Sequence, residues 1–361
     1  MKNKYKQLEK LYKNNLRCAE FFGMEYCEST QGWYQRFGKP WKFTYKDDQG
    51  NTLKDKKILN YIEDLVIPPA WKKTFISQSP KTHILAQWED NKWRKQYIYH
   101  EKWTQARRLI NSYTLILFWE ILWDIRTSYK KLLKSDKTSY EFALWAAIFL
   151  LDETVIRVGN KHYFDENGTI WISTLRCENL VLKSRKLFLE FPWKSGKDHS
   201  IHITNKKLKD CLLDLCSQDK EFIFSYVCDD NIRQISPENI NSYLRDIGCD
   251  VISAKDFRSW HASMIVFETF IDEIYPKTSD KKRKKIILES FDTASEKLGN
   301  TRTMIKESYA HKDTVESVRK FKFRKYYNAT KNTKKLRNLS QNESDFLSFL
   351  KRLYDENEAF E

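Results

Sequence analysis

Several familiar signatures are missing from this 361-residue chain, and each absence closes off a class of chemistry. No GxxxxGK[ST] loop is present to cradle nucleotide phosphates, and no HExxH helix to hold a catalytic zinc. The sequence therefore offers neither a nucleotide cofactor site nor a recognisable metal site. The cysteines, at positions 18, 27, 177, 211, 216, 228 and 249, include no CxxC pair and are odd in number. That scatter argues against structural zinc and against a disulfide framework, and fits a reducing compartment. Long uncharged apolar runs are also absent. FALWAAIFLL (142–151) is too short to span a bilayer, and YTLILFWEILW (113–123) carries Glu120 and runs into Asp124 and Arg126. Both read as buried helices, so no membrane partner is expected. The first residues, MKNKYKQLEK, lack the apolar core of a secretion signal, and a cytoplasmic location is the expectation.

What the chain has in excess is positive charge. Lys and Arg outnumber Asp and Glu by 64 to 49, for a net charge of +15 and a pI near 9.2. Such a balance points to a polyanion, most often nucleic acid.

The texture changes near residue 100. Before it, turn signals dominate: Asp47-Asp48-Gln49-Gly50-Asn51 separates KFTY from a short helical stretch near 55–64. IPPAW (67–71) is expected to be extended because paired prolines forbid helix. THILAQW and KQYIYH alternate like strands, joined by a turn near Glu89-Asp90-Asn91. After residue 101 the period becomes helical, with Ala106, Leu109, Ile110, Tyr113 and Leu117 on one face. A second helix is expected over about 139–157, stopped by Gly159. Strand patterns follow in TIWIS (169–173), KLFLEF (186–191) and SIHIT (200–204), the last two joined by a hairpin tip in PWKSGKDH. Helices resume near 205–217, 237–247, 254–273 and 279–298; Ser236-Pro237 starts the second of these and Gly248 stops it. Beyond 330 the tail reads as charged and loosely held, although Phe346, Leu347, Phe349 and Leu350 suggest a short docking helix. The predicted class is α+β. A small, mainly-β domain (1–100) precedes a larger, mainly-α catalytic domain (101–361) with a small inserted antiparallel sheet.

Four stretches of the larger domain carry candidate chemistry. LLDETVIRVGNKHYF places Arg157 at the end of an apolar helix, and WKSGK places Lys194 at a hairpin tip. AKDFRSWHAS sets Lys255 and Arg258 one turn apart on one helix face. KLGNTRTMIKESYAH (297–311) holds Asn300 and a single phenol, Tyr309, in a stretch crowded with Lys297, Arg302, Lys306 and His311. Alone, each has a bland reading: an arginine complementing a helix dipole, a solvated turn lysine, a wet helix face, a surface aromatic. Together they make one device. Ionising a phenol of pKa about 10 at pH 7 costs about 4 kcal/mol, and neighbouring guanidinium groups reduce that cost. Two arginines can also grip the non-bridging oxygens of a pentacoordinate phosphate while staying charged. Asn300 adds a donor, and a lysine with a depressed pKa can protonate a leaving ribose oxygen. So many fixed cations make a metal unnecessary.

At this point a resemblance is plain. VIRVGNKHY, WKSGKDH, KDFRSW and LGNTRTMIKESY are similar to the first-arginine, lysine-hairpin, second-arginine and tyrosine motifs of type IB DNA topoisomerases of the small poxvirus-like and bacterial kind. IPPAW, His83 and RKQYIYH (94–100) resemble that family's first domain, and the match runs in order over about 40–315. The resemblance implies a monomer that clamps duplex DNA and cuts one strand through a 3′-phosphotyrosyl bond. The free end swivels and the break is resealed without ATP or metal. It implies that Arg157 and Arg258 clamp the phosphate and that Tyr309 attacks it. Lys194, helped by Lys255, would be the general acid, and Asn300 would only hydrogen-bond. Arg94, Gln96, Tyr97, Tyr99 and Tyr163 fall where DNA contacts are expected. Trp88, Trp93 and Trp193 stand where glycine or a small residue is usual. The host would be a bacterium, with the protein on the nucleoid, or a large DNA virus, with it in the virion or viral factory.

Two other readings fit part of the pattern. A tyrosine site-specific recombinase shares the core, but carries HxxR where this chain has Lys255-x-x-Arg258. A non-catalytic duplex DNA-binding protein would not need the intact Arg, Lys, Arg, Tyr set.

Overall fold

The computed structural model describes residues 2–40, 42–89, 93–132, 135–157, 172–192, 198–217, 220–248, 250–336 and 338–355. The chain divides into two compact units, Met1–Tyr113 and Thr114–Glu361. Among the described residues no helix is long and apolar enough to cross a membrane.

The first unit opens with helices α1 (Lys2–Lys13) and α2 (Asn15–Phe21), which the sequence reading did not anticipate. Its five-stranded antiparallel sheet runs in the order β2-β1-β3-β4-β5. The strands are β1 (Tyr34–Lys39), β2 (Lys42–Lys46), β3 (Lys72–Ile76), β4 (Ile84–Glu89) and β5 (Lys95–Tyr99). Gly38 is required at the β1–β2 corner: its φ is +104°, and a Cβ there would collide with the Lys42 carbonyl oxygen. Helix α3 (Lys56–Asp64) starts at Asp55, whose side chain accepts the Lys57 N–H. Ile58, Tyr61 and Ile62 pack against Tyr34, Ile76 and Ala86 of the sheet.

IPPAW is not extended throughout. It makes a turn in which Trp71 N–H donates to Pro68 C=O at 3.3 Å. The Arg36 guanidinium holds that turn, donating to the carbonyls of Ile67 (3.4 Å), Pro68 (3.1 Å) and Trp71 (2.7 Å). Two of the unusual tryptophans now have physical reasons. Trp88 is buried because it stacks on Trp71 of that turn. Trp93 has a left-handed backbone, φ 59°, a conformation glycine takes without cost, and its exposed ring lies 4.7 Å from the Lys73 ammonium.

Helix α4 (Glu101–Leu132) begins in the first unit and ends in the second. Helix α5 (Tyr140–Thr154), capped by Ser139, is buried almost all round, which explains its apolar run. It ends earlier than predicted. Val155, not Gly159, terminates it, in the left-handed conformation with φ 50°, and Gly159 lies outside the described residues. TIWIS is not a strand where described: Ile172–Thr174 forms a 3-10 turn. The inserted sheet has three antiparallel strands, β6 (Leu180–Lys183), β7 (Lys186–Pro192) and β8 (Asp198–Ile203). After it come α6 (Lys206–Cys216), the hairpin β9 (Ser225–Cys228) and β10 (Asn231–Gln234), and α7 (Pro237–Ile247). Helices α8 (Lys255–Glu273) and α9 (Asp280–Leu298) follow, then α10 (Lys312–Arg319), α11 (Phe323–Thr330) and α12 (Gln341–Asp355).

Two expectations are corrected here. Cys177 and Cys216 form a disulfide that closes a 39-residue span around the inserted sheet. Spacing gave no hint of it, because the fold alone brings the start of β6 to the end of α6. The tail is not loosely held over 341–355: the docking helix suggested by Phe346, Leu347, Phe349 and Leu350 is present there. Phe346 and Phe349 are fully buried against Phe267 and Phe323. The Arg126 guanidinium ties this tail to the core. It binds Asp152 through Nε (2.7 Å) and Nη2 (3.1 Å), and Glu343 through Nη1 (3.0 Å). His261 Nε2 adds a contact to Asp152 at 3.2 Å.

Burial pushes the Asp152 carboxyl up, but Arg126 and His261 outweigh it and hold the group well below the usual carboxylate range. Arg126→Met strands two buried carboxylates and is expected to cost about 3–5 kcal/mol in urea unfolding at pH 7. Because the folded-state pKa is depressed, the Asp152 contribution is present above the unfolded value of about 4 and fades only as pH falls below it. The gap between wild type and variant should therefore narrow below that pH. A gap that stays constant down to pH 3 would contradict the assignment.

Candidate active site

Three segments far apart in sequence converge in the second unit. The first is the end of α5. Its left-handed cap at Val155 turns the chain so that Arg157 follows two residues on, with its carbonyl accepting the Ile172 N–H at 3.1 Å. The second is the start of α8. Ser253 N–H and Oγ–H both donate to Asp256 (2.8 and 3.0 Å), and Ala254 N–H donates to Asn241 Oδ1 (3.0 Å), fixing the first turn. Phe257 and Trp260 anchor the helix in the core, leaving Lys255 and Arg258 to serve the site. The third is the end of α9. Gly299 takes φ 58°, a conformation that costs a side-chain-bearing residue, and so redirects the chain into Asn300.

Arg258 is the hub. It is 4% exposed. Nη1 donates to Val155 C=O and Nη2 to Leu298 C=O at 2.7 Å, so one side chain binds the ends of both other segments. Arg157 Nη2 donates to Asn300 Oδ1. Beyond Asn300 the chain makes a short helical turn, Arg302–Met304, which widens into a π turn, Ile305–Tyr309. The Tyr309 ring lies 5.3 Å from the Arg258 Cζ and 5.8 Å from the Lys255 Nζ.

The electrostatics favour the phenolate. Burial pushes the Tyr309 phenol up. The charge and hydrogen bond of Arg258, then the charges of Arg157 and Lys255, pull it back further, to below its ordinary range. Burial also lowers the pKa of both guanidiniums. Among the described residues, two donors of these segments, Arg258 Nε and Asn300 Nδ2, are buried without hydrogen-bond partners. Buried donors are seldom left so, and an anion seated between them would satisfy both.

The cations that crowd Tyr309 in sequence are not the ones around its ring. Arg302 pairs with Asp292, and Lys306 and Lys312 with Glu307. His311 is buried, with Nδ1 bonded to the Thr314 hydroxyl at 2.9 Å, and desolvation lowers its pKa. The structure thus brings together Arg157, Lys255, Arg258, Asn300 and Tyr309. Lys194 and Tyr163 lie outside the described residues.

The expected DNA contacts of the first unit divide by strand alternation. Tyr97 and Tyr99 stack at 5.6 Å and, with Lys95 and Gln87, line a cavity of about 510 Å³. Gln96 sits opposite Trp88, so it belongs to the other face of the sheet. Arg94 is exposed just before β5. Arg107 also lines the cavity and stacks near Tyr12 and Trp103, with a buried Nη1 that has no hydrogen-bond partner among the described residues. No motif marks Arg107 in the sequence; its signal is a basic residue one turn after Trp103 on an otherwise apolar helix face.

An antiparallel sheet unit followed by a helical unit, with a half-buried phenol beside two guanidiniums carried by two other segments, fits a class of phosphoryl-transferring enzymes. The chain belongs to the DNA topoisomerase I family. Residues 94–337 match the family described as eukaryotic DNA topoisomerase I, catalytic core, and residues 42–90 match the bacterial DNA topoisomerase IB N-terminal domain. It is similar to DNA topoisomerase 1B of Acanthamoeba polyphaga mimivirus, 26% identical over 289 residues, covering 76% of this chain and 84% of that protein. It is also similar to DNA topoisomerase 1B of Vaccinia virus (strain Copenhagen), 24% identical over 276 residues, covering 74% of this chain and 81% of that protein. A shorter match, 31% over 153 residues, covers 40% of this chain and 17% of DNA topoisomerase 1 of Schizosaccharomyces pombe.

Since Gly299 sets the direction of Asn300, Gly299→Ala is expected to cost about 1–2 kcal/mol in urea unfolding. An unchanged unfolding midpoint would show that the left-handed turn is not required.

Proposed function

We propose that this chain is a type IB DNA topoisomerase that relaxes supercoiled duplex DNA. The observation that carries the proposal is a pair of buried donors without partners among the described residues, Arg258 Nε and Asn300 Nδ2, beside a phenol whose pKa is lowered by Arg258, Arg157 and Lys255. A scissile phosphate seated there has its non-bridging oxygens gripped by Arg157, Arg258 and Asn300, while Tyr309 attacks in line. Developing negative charge then meets donors already in place, so no reorganisation is needed at the moment of reaction. The DNA leaves as a free 5′-hydroxyl end, its oxygen protonated by Lys194 with help from Lys255, and the 3′-phosphate stays on the tyrosine. One phosphate ester replaces another, so resealing needs no ATP. Torsional strain in the DNA drives the swivel. The protein acts as a monomer without metal, and the net charge of +15 supplies salt-sensitive affinity for the duplex. The Lys95–Tyr97–Tyr99 face with Arg107 fits a second contact with DNA.

The test is relaxation of supercoiled plasmid in EDTA without ATP, with trapping of an SDS-stable protein–DNA adduct and mapping of the attached end. Relaxation and a 3′-linked adduct are expected. Tyr309→Phe should abolish the adduct and keep salt-sensitive binding, and Asn300→Ala should slow adduct formation about 10- to 100-fold, the worth of one hydrogen bond to a charged group. An undiminished adduct in Tyr309→Phe would overturn the assignment of the nucleophile, and binding without any adduct in wild type would leave a non-catalytic DNA-binding protein.

A further inference from the structure

The reaction as proposed needs a phenol held at a fixed distance from a guanidinium. Yet Tyr309 stands at the worst place in a helix for rigidity. The π turn ends at Tyr309, Ala310 is extended (φ −67°, ψ 136°), and α10 starts only at Lys312. At such a break the backbone groups have no partners within a helix. Ala310 N–H reaches back to Ile305 C=O at 2.9 Å, which closes the π turn. The carbonyl of Tyr309 and the N–H of His311 remain to be satisfied.

One buried hydroxyl satisfies both. Ser263, 1% exposed, donates its Oγ–H to Tyr309 C=O at 3.2 Å and accepts the His311 N–H on the same oxygen at 3.0 Å. A serine hydroxyl has one donor and two acceptor positions, so this use is within its capacity. Ser263 lies on α8, the helix whose first turn carries Lys255 and Arg258. The element that carries these cations therefore also holds the backbone of the nucleophile. The guanidinium and the backbone that carries the phenol are thus both tied to one helix.

Resting on the topoisomerase reading, we infer that Ser263 is a positioning residue. It pins the backbone on both sides of Ala310 and so holds the Tyr309 phenol against Arg258, in register for attack. Ser263 does not touch the reacting atoms. Its effect passes through Tyr309, and a displacement of about 1 Å at a nucleophile is worth up to roughly a hundredfold in rate.

The experiment is single-turnover adduct formation at saturating duplex DNA across pH 6–10 for wild type, Ser263→Ala, Ser263→Cys and Ser263→Thr. DNA affinity and thermal melting are measured on the same samples. Cysteine keeps the shape of serine with a much weaker hydrogen bond, and it stands in for alanine if alanine unfolds the protein. Ser263→Ala and Ser263→Cys are expected to form adduct about 10- to 100-fold more slowly, with the pH of half-maximal rate moved upward and DNA affinity unchanged. Ser263→Thr, which keeps the hydroxyl, is expected to restore the wild-type pH midpoint. Wild-type rates in Ser263→Ala and Ser263→Cys, or slower rates with an unmoved midpoint, would overturn the positioning role while leaving the topoisomerase reading intact. A wild type that forms no adduct would overturn both.

Discussion

A guanidinium taken out of water is the constraint on which the second unit is built. Removing a cation from solvent costs several kcal/mol even after relaxation, and the folded chain must offset it. For Arg258 it does so with backbone: the carbonyl of Val155, offered by a helix that stops early, and the carbonyl of Leu298, offered by a helix that ends at a left-handed glycine. These two bonds bring three distant segments together. Among the described residues they leave Arg258 with no carboxylate partner and one N–H unpartnered, facing a phenol. A buried cation without a carboxylate is an anion site in waiting, and the phenol beside it is the first group to benefit.

The scaffold around that cation is correspondingly stiff. Helix α8 is anchored by Phe257, Trp260, Phe267 and Phe270, all fully buried. The C-terminal helix closes over that row with Phe346 and Phe349, and the Arg126–Asp152–Glu343 cluster locks it there. Asp152 lies on the same helix whose end presents Val155 to Arg258. The docked tail thus supports the turn that feeds the site, although none of its side chains is among those gathered around Tyr309.

Helices were the most legible part of the sequence. Those over 206–216, 237–247, 255–273 and 280–298 lie where periodicity, caps and stops put them, because their apolar faces and their terminal residues agree. Local signals failed where tertiary contacts decide. A valine takes a left-handed turn because a distant arginine needs its carbonyl. Cys177 and Cys216 pair because the sheet folds between them, and helix α2 and the strand Lys72–Ile76 carry patterns too short to stand out. The residues now gathered at the site could be named from motifs. Their partners could not: nothing near Tyr309 in the chain reveals Ser263, and Arg302, Lys306 and Lys312, beside it in sequence, are paired with Asp292 and Glu307.

The central claim is that this pocket acidifies Tyr309 before any DNA arrives. Titration of the free protein carrying ¹³Cζ-labelled tyrosine, followed by NMR with Tyr309 assigned by its loss in Tyr309→Phe, measures that acidity directly. A midpoint below the ordinary phenol value of about 10 agrees with the account, and a midpoint at or above that value contradicts it.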